Sequence, residues 1–419
     1  MHSVKGLVGV LFVVSVLAQY AAQAGAQGRQ HSGSDKTSVL PACQGVDSLP
    51  SPDCGRTPTP AVGPSGRLWL VFVRHGHVYV THSVNGEGDF VAPVVVNAVP
   101  EVIYSDGENR PRIAFGQQGE VYVSWTHKTP GRYTGDIRFA RSLNDRLDFE
   151  PPITVNDDRQ LISHRFNAMA VDSLGRIHMV WLDKRDKAAA KAKGQDYRGA
   201  ALYYAVSEDR GKHFLFNRNV ADYTCECCRI AIEPDSRNDL VVFWRHIFEG
   251  SIRDHGISRL TTKASASANT MMRATFDDWV MDGCPHQGPD LSLGGDDSAH
   301  LVWFSGGGKR RGLSYGRFDL AGQSLAHAFL LDGTSGASRP QVLAVSGTVY
   351  ATWKAFDGQR TSLVWRVSRD DGKAWSEPHI LAQTATKSDH PMLIEFRDSV
   401  YVSWHTDGEG YRLMEVSAQ

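Results

Sequence analysis

The most regular pattern along the chain is an alternating apolar strand that ends in tryptophan, as in VYVSW and IHMVW. Such alternation is typical of half-buried β-strands. The six copies end at Trp125, Trp181, Trp244, Trp303, Trp353 and Trp404. A weaker copy, RLWLVFV, places Phe72 in register 53 residues before Trp125. Repetition at about fifty residues, with strands and turns but almost no helical period, predicts a β-propeller.

Each repeat contains the strands of one antiparallel blade. A first strand such as RPQVLAVS precedes the tryptophan strand, and strands such as LYYAVS and SEPHILAQ follow it. We count seven units of four strands. Six blades stay an alternative because the first strand of the first unit, near residues 60–62, is faint. The last unit lacks an obvious fourth strand, and the segment near residues 38–40 is a candidate to supply it, since closure removes exposed edges.

The turn between the third and fourth strands carries a second signature. SEDRGKHF (207–214) and SRDDGKAW (368–375) both read Ser-x-Asp-x-Gly-x-x-aromatic, and SVNGEGDF and SLNDRLDF have Asn85 and Asn144 in the Asp position. The carboxylate or amide suits turn amides, and glycine accepts the unusual backbone angle. The motif resembles the Asp-box, or BNR repeat, of the sialidase superfamily. This resemblance spans the mature propeller and implies the fold, but not the activity, because the box is a structural turn.

The chain is expected to divide into three parts. Residues 1–26 contain Lys5, an apolar run and then small residues, which predicts a secretory signal peptide. Residues 27–66 form a Pro-rich extension with a predicted Cys43–Cys54 disulfide. Residues 67–417 form the sialidase-like propeller. We therefore expect an exported protein, periplasmic or secreted, in an oxidising compartment.

Charge and hydropathy exclude two classes of partner. The chain has 45 basic and 46 acidic residues, so no overall field attracts nucleic acid or an anionic membrane. After the signal peptide, no apolar run is long enough to span a membrane. The expected partner is a metal ion or a small anionic or glycan ligand, and a protein partner stays possible but unspecified.

Strand direction predicts which polar residues share one mouth of the propeller. In an antiparallel blade, the start of the first strand and the end of the second lie together, with the Asp-boxes at the opposite mouth. The candidate ligand-binding arginines at this mouth are Arg110, Arg165, Arg229, Arg245, Arg253 and Arg339. Because propeller ligands generally bind at a mouth, this set predicts a ligand site, with a merely solvated polar face as the alternative.

The motif YTCECCR (223–229), with Cys284 in the later segment DGCPHQGPD, has two interpretations. Both segments directly precede a first strand, so they are expected to be neighbours. In the structural interpretation, Cys225 or Cys227 pairs with Cys284, and a vicinal Cys227–Cys228 bond remains possible. In the functional one, thiolates and imidazoles bind a soft metal, copper more plausibly than zinc. The candidate metal ligands are Cys225, Cys227, Cys228, Cys284, His246, His255, His286, His390 and His405.

The sialidase resemblance implies an enzymatic alternative, a glycoside hydrolase of sialidase type. Sialidases clamp a carboxylate with three arginines, whose planar forks match its two oxygens, and Arg110, Arg165 and Arg339 occupy equivalent first-strand positions. The family also uses a Tyr–Glu nucleophile pair and an Asp acid/base. The candidates are Tyr223 with Glu226 or Glu249, and Asp183 or Asp254. The family's Phe-Arg-Ile-Pro motif has no clean match here.

Three functional hypotheses follow. The first is binding of a soft metal or an anionic ligand at the Cys/His/Arg-lined mouth. The second is sialidase-type hydrolysis, and the third is a non-catalytic docking scaffold whose cysteines are all disulfides. The insertion DKAAAKAKGQDYRG (186–199) is expected to be a flexible loop.

Overall fold

The protein is a closed ring of seven antiparallel sheets, which confirms the predicted seven-bladed propeller. A computed structural model describes residues 39–44, 49–85, 88–261 and 271–416. Each sheet consists of consecutive strands, so the chain completes one blade before it enters the next. The first strands of adjacent blades contact one another around the whole ring, and the last blade packs on the first.

The first four blades extend from Arg56 to Arg273. Blade 1 contains β1 (Arg56–Val62), β2 (Leu68–Arg74), β3 (His77–His82) and β4 (Val94–Val95). Blade 2 contains β5 (Arg112–Phe115), β6 (Val121–His127), β7 (Asp136–Ser142) and β8 (Ile153–Thr154). Blade 3 contains β9 (His164–Val171), β10 (Ile177–Asp183), β11 (Ala200–Ser207) and β12 (Arg218–Thr224). Blade 4 contains β13 (Ala231–Pro234), β14 (Leu240–Arg245), β15 (His255–Leu260) and β16 (Met272–Arg273).

The last three blades complete the ring. Blade 5 contains β17 (Asp290–Leu293), β18 (Ser298–Gly306), β19 (Arg311–Asp319) and β20 (Ser324–Asp332). Blade 6 contains β21 (Ala337–Val345), β22 (Thr348–Phe356), β23 (Thr361–Ser368) and β24 (His379–Thr384). Blade 7 contains β25 (Met392–Phe396), β26 (Ser399–Thr406) and β27 (Gly410–Glu415).

The N-terminal segment packs on blade 7 without adding a strand in the part of the chain that is described. The Leu40 amide donates to the Asp407 carbonyl at 3.0 Å, and Asp53 accepts from the Tyr411 amide at 3.0 Å. The expected fourth strand is therefore not formed by residues 39 and 40, and residue 38 lies outside the described residues, as does the predicted signal peptide. The Cys43–Cys54 disulfide is present. The first blade begins at Arg56, earlier than the expected boundary at residue 67.

The tryptophans that ended the repeated strands are the largest buried side chains of the ring. Burying an indole is favourable when its N–H finds an acceptor. Trp125 donates to Glu101 at 2.8 Å, Trp303 to Asp277 at 2.6 Å and Trp353 to Asp332 at 2.7 Å. The acceptors differ between blades, but the burial of the ring is the same. The periodic tryptophan is thus the packing centre of blades 2 to 7, and Phe72 occupies the position in blade 1.

The two segments that fully match the Asp-box pattern form the same hydrogen-bonded turn. In the first, the Ser207 hydroxyl donates to Asp209 at 2.9 Å and accepts from the Gly211 amide at 2.9 Å. In the second, the Ser368 hydroxyl makes the equivalent contacts at 2.8 and 2.9 Å. Gly372 has a φ of +83°, and a Cβ there would lie 1.7 Å from the Tyr315 hydroxyl. Glycine is therefore required both by the backbone angle and by the close approach of blade 5.

The insertion after β10 is partly helical, in contrast to the expected flexible loop. Helix α1 spans Arg185–Ala192 and consists mostly of Ala, Lys and Arg, which are strong helix formers. The Tyr203 hydroxyl donates to Asp186 in its first turn at 2.9 Å. Among the described helices, none has the length and apolar character needed to cross a membrane.

Candidate functional site

Three buried thiols form a compact group at one mouth of the propeller. The sulfur atoms of Cys225, Cys227 and Cys228 are separated by 3.3, 3.7 and 4.0 Å. None of these pairs is a disulfide, and each side chain is at most 4% exposed. The predicted disulfides among the four later cysteines are therefore absent from this structure, in which Cys284 is also a free thiol.

The fold places these thiols in the crossover from blade 3 to blade 4. Strand β12 ends at Thr224, and the chain passes through the three cysteines into β13. The Cys225 amide donates to the Arg245 carbonyl at 3.0 Å, directly after Trp244 at the end of β14. The expectation that residues before a first strand and residues after a tryptophan share one end of a blade is confirmed here by a direct contact.

Beside the thiols lies a buried cation without a carboxylate partner among the described residues. The Arg245 guanidinium, 1% exposed, donates to the carbonyls of Arg253, Gln287 and Phe304. Its charge acts on Cys225 and Cys228, where it favours the thiolate. Burying an uncompensated charge is costly, so this arrangement favours a negative group at the thiols.

The thiols do not ionise independently. Burial opposes ionisation of Cys228, but hydrogen bonds from Cys225 and Cys227, with the charge of Arg245, hold its pKa well below the usual thiol value. Hydrogen bonds with Cys225, Cys228 and Cys284, together with burial, raise the pKa of Cys227. Thus one thiolate forms readily, and further thiolates at this spacing need a neutralising cation.

The candidate histidines do not join the three thiols. The group of potential ligand atoms within 4.8 Å of one another contains only the three cysteines, among the residues described. Burial lowers the pKa of His246 to about 4, and its ring packs on Phe248 with centroids 4.6 Å apart. His405 contacts the Asp53 carbonyl at 2.8 Å, and His286 is exposed.

Two further candidate histidines lie elsewhere, His255 buried and His390 half-buried. Burial, followed by the charge of Arg245, lowers the pKa of His255 well below its usual value, and the ring contacts the Thr275 hydroxyl at 3.0 Å. The pKa of His390 is likewise lowered, first by burial and then by Arg339 and Arg229. A Cβ on Gly107 would lie 2.3 Å from the His390 ring, so the loop before β5 packs directly against it.

That loop carries a residue that the sequence did not single out, Glu108, which is 4% exposed. Its carboxylate accepts from the Arg229 amide at 2.7 Å and from the guanidinium groups of Arg229 and Arg339 at 3.1 Å each. It also accepts from the Gly288 amide at 3.1 Å. One carboxylate from blade 2 thus joins the first-strand ends of blades 4, 5 and 6. In the sequence, the arginines repeated at the first-strand ends were only an indirect signal for this carboxylate. Buried guanidinium groups need an acceptor, but the pattern did not say which residue provides it.

The three arginines proposed as a carboxylate clamp have different environments. Arg110 pairs with Asp389, both nearly buried, and Arg339 pairs with Glu108. Arg165 makes no ion pair among the described residues. Its guanidinium lies 4.3 Å from the Tyr104 ring centroid and 5.6 Å from that of Tyr133, and its Nε is buried without a hydrogen-bond partner. Of these three arginines, only Arg165 forms no ion pair with a carboxylate of the described residues.

The other candidate catalytic residues are separately engaged. Asp183 is fully buried and accepts from Arg185 and from the Trp181 indole, both at 2.9 Å. Asp254 is buried and pairs with Arg273. Tyr223 is 40% exposed and packs on Tyr197.

The two carboxylates proposed as partners of Tyr223 do not pair with it. Glu226 is bound by Lys184 at 2.9 Å and by Lys187 at 3.5 Å, while Glu249 is exposed in a short 3-10 turn. Among the described residues, no tyrosine hydroxyl donates a hydrogen bond to a glutamate.

A second group of side chains has its potential ligand atoms spaced as around a metal ion, but cationic side chains already lie beside its carboxylates. Asp158, His164 and Asp183 offer ligand atoms within 4.8 Å of one another. The Arg185 guanidinium lies 2.9 Å from Asp183 and 3.5 Å from Asp158. Burial lowers the pKa of His164, but hydrogen bonds to Asp136 and Asp158 outweigh this effect and raise the pKa to about 9. The group is therefore a neutralised ion-pair network.

Comparisons with known proteins identify the fold. No family model and no curated protein match the sequence. A PL25 ulvan lyase solved with -[GlcA(1-4)Rha3S]- has a TM-score of 0.53 at 12% identity, over 87% of this chain and 94% of its own. The polysaccharide lyase Uly1 has a TM-score of 0.52 at 8% identity, over 87% and 90%. A Hadza microbial sialidase has a TM-score of 0.48 at 14% identity, over 84% and 73%. The two lyases support the propeller fold, and likeness at such identities concerns the fold alone.

Proposed function

We propose that this protein binds one copper(I) ion through the thiolates of Cys225, Cys227 and Cys228. The observation that carries the proposal is their arrangement as three free, buried sulfur atoms 3.3 to 4.0 Å apart. Metal–sulfur bonds of about 2.3 Å separate the sulfurs by about 4.0 Å in trigonal geometry and by about 3.8 Å in tetrahedral geometry. The thiols are therefore already spaced for a shared metal ion.

The donor set and the local charge favour copper(I) over zinc. Soft thiolates select copper(I) and zinc, but structural zinc sites are almost always four-coordinate, and this group supplies three donors. Copper(I) with three thiolates carries a net charge of −2, which the adjacent Arg245 partly offsets. If the protein is exported, as the N-terminal sequence predicts, metal coordination would also protect these thiols in an oxidising compartment.

The test is metal loading of the full chain under anaerobic conditions. We expect one copper per chain by elemental analysis, tight binding in competition with bicinchoninate, and four free thiols once the metal is removed and the protein denatured, in agreement with the four unpaired cysteines. Zinc should bind more weakly. Protein that takes up no copper and shows no free thiols would contradict the proposal and favour the docking scaffold.

Recognition of an acidic sugar is a second candidate function, and Arg165 favours it. A guanidinium without an ion-pair partner, flanked by Tyr104 and Tyr133, suits a carboxylate or sulfate on a ring that stacks on tyrosine. The ulvan lyase solved with a glucuronate- and rhamnose-3-sulfate-containing ligand has the same fold. A sialidase-type clamp is less well supported, because Arg110 and Arg339 already hold internal carboxylates.

Replacing Arg165 with alanine tests this second candidate. We expect a sulfated glucuronate–rhamnose oligosaccharide to bind the wild type, and R165A to weaken that binding by about tenfold or more, as for loss of a charge-assisted pair. Arg132, which also contacts the Tyr133 ring, provides the matched control R132A. Calorimetry that detects no binding to the wild type, or equal losses in both variants, would contradict a site at Arg165.

A further inference from the structure

Next to the three buried thiols lies a fourth, exposed thiol, that of Cys284. The loop that carries it packs against the cysteine crossover: Arg245, whose carbonyl accepts from the Cys225 amide, donates to the Gln287 carbonyl, and a Cβ on Gly288 would lie 2.3 Å from Arg229, the residue after Cys228. In keeping with this placement, the Cys227 and Cys284 thiols affect each other's pKa. Its sulfur nevertheless lies outside the group whose ligand atoms are all within 4.8 Å of one another. Three thiols are thus shielded from solvent, and the fourth is exposed.

The loop that carries Cys284 is fixed on both sides of it. The Met281 amide donates to the Ser251 carbonyl at 3.2 Å, and the Met281 carbonyl accepts from Arg253 at 3.0 Å. On the other side, the Gln287 carbonyl accepts from Arg245 at 3.0 Å. Between these anchors, a Cβ on Gly283 would meet only the Met281 methyl group, at 3.4 Å. Cys284 therefore occupies an open tip that is held beside the thiol group.

We propose that Cys284 is the transfer ligand of this site, through which copper(I) enters and leaves the three buried thiolates. This inference rests on the proposed function. Its physical basis is access: thiols that are 1 to 4% exposed cannot meet an incoming donor directly, whereas Cys284 is exposed to solvent on the loop that packs against their crossover. The acceptor or donor is a soft, sulfur-bearing molecule, because copper(I) prefers such ligands.

The exchange is a ligand substitution without electron transfer. During release, the Cys284 thiol gives its proton to water and bonds copper as one buried thiolate leaves and takes up a proton. An acceptor thiol then loses its proton and replaces a second protein ligand in the same way. Copper stays in the +1 state throughout, and each metal–sulfur bond that breaks is matched by one that forms. Uptake is the same sequence in reverse.

The test measures both the copper(I) affinity and the rate of copper(I) transfer of the C284S variant. Full-length protein is loaded anaerobically with one copper(I), and transfer to bathocuproine disulfonate is followed by absorbance. We expect C284S to keep wild-type affinity while transfer slows by about tenfold or more, as when one stage of a ligand exchange is removed. The neighbouring exposed His286 provides the control H286A, which should transfer at the wild-type rate.

Alkylation provides a second measurement that does not depend on the folding of a variant. In copper-loaded wild type, N-ethylmaleimide should add once, at Cys284, and slow transfer as C284S does. An unchanged rate in C284S and in the alkylated protein would overturn the inference while the copper site stands. A loss of affinity as large as that from removing Cys227 would also overturn it, since Cys284 would then be a permanent ligand. Wild-type protein that binds no copper would refute the proposed function itself.

Discussion

We expect each of three single replacements by alanine, at Cys225, Cys227 or Cys228, to abolish tight copper(I) binding. Because the three sulfurs form one group, loss of any of them leaves two thiolates and an incomplete coordination shell. We expect affinity to fall by about a thousandfold or more, or about 4 kcal/mol. The measurement is competition with bicinchoninate under anaerobic conditions, with the thermal unfolding of each metal-free variant recorded alongside.

A histidine variant separates the thiol site from the broader set of ligands considered at first. His405 contacts a backbone carbonyl of the N-terminal segment, so H405A should bind copper as the wild type does. If the three alanine variants retained wild-type affinity, the thiol group would not be the copper site. If H405A lost binding as they do, imidazole would belong to the coordination shell and the all-thiolate assignment would be wrong.

Replacement of Glu108 by alanine should give the largest loss of stability of any single change at the mouth. It leaves the Arg229 and Arg339 guanidinium groups and two backbone amides without their shared acceptor. Removing one partner of a buried ion pair typically costs about 3–5 kcal/mol. We expect a decrease of this order in the free energy of unfolding, measured by chemical denaturation of the metal-free protein.

Glu150 offers a matched control for Glu108. It also binds a guanidinium with both oxygens, that of Arg141 at 2.9 and 3.1 Å, but it is 50% exposed. Solvent screens such a pair, so E150A should cost less than about 1 kcal/mol. Similar, small losses in E108A and E150A would show that Glu108 does not hold the blade ends together.

The position of Glu108 also affects where ligands can bind. Together with Arg229 and Arg339 it forms an internal ion-pair network, so these groups are already neutralised within the protein. The candidate copper site lies to one side of this network, in the crossover between blades 3 and 4, and Arg165 lies at the start of β9. The two candidate sites therefore consist of different residues, three cysteines in a crossover between blades and an arginine within a first strand. Their separate variants should consequently have separable effects.

The sequence alone determined the blade architecture of this protein. Six of the seven blades repeat an alternating strand that buries a tryptophan, and two of them also have a turn closed by Ser, Asp and Gly, so period and turn chemistry were sufficient. The same polarity argument placed Cys225 beside the end of β14, because antiparallel pairing fixes which strand ends meet. Local rules failed at blade 7 and in the insertion after β10, where packing and helix propensity decide the outcome.

Only the tertiary structure decided which polar residues act together. Arg110, Arg165 and Arg339 are equivalent in the repeat, yet two are neutralised by Asp389 and Glu108, and the third lies among aromatic rings. Glu108 reaches its partners from 121 to 231 residues away along the chain. Likewise, the sequence left open whether the four later cysteines form disulfides or bind a metal ion. The structure brings three of their thiols together and separates the histidines from them. Strand period specifies which end of a blade a residue occupies, but charge pairing and coordination depend on distances across the ring, which no local pattern contains.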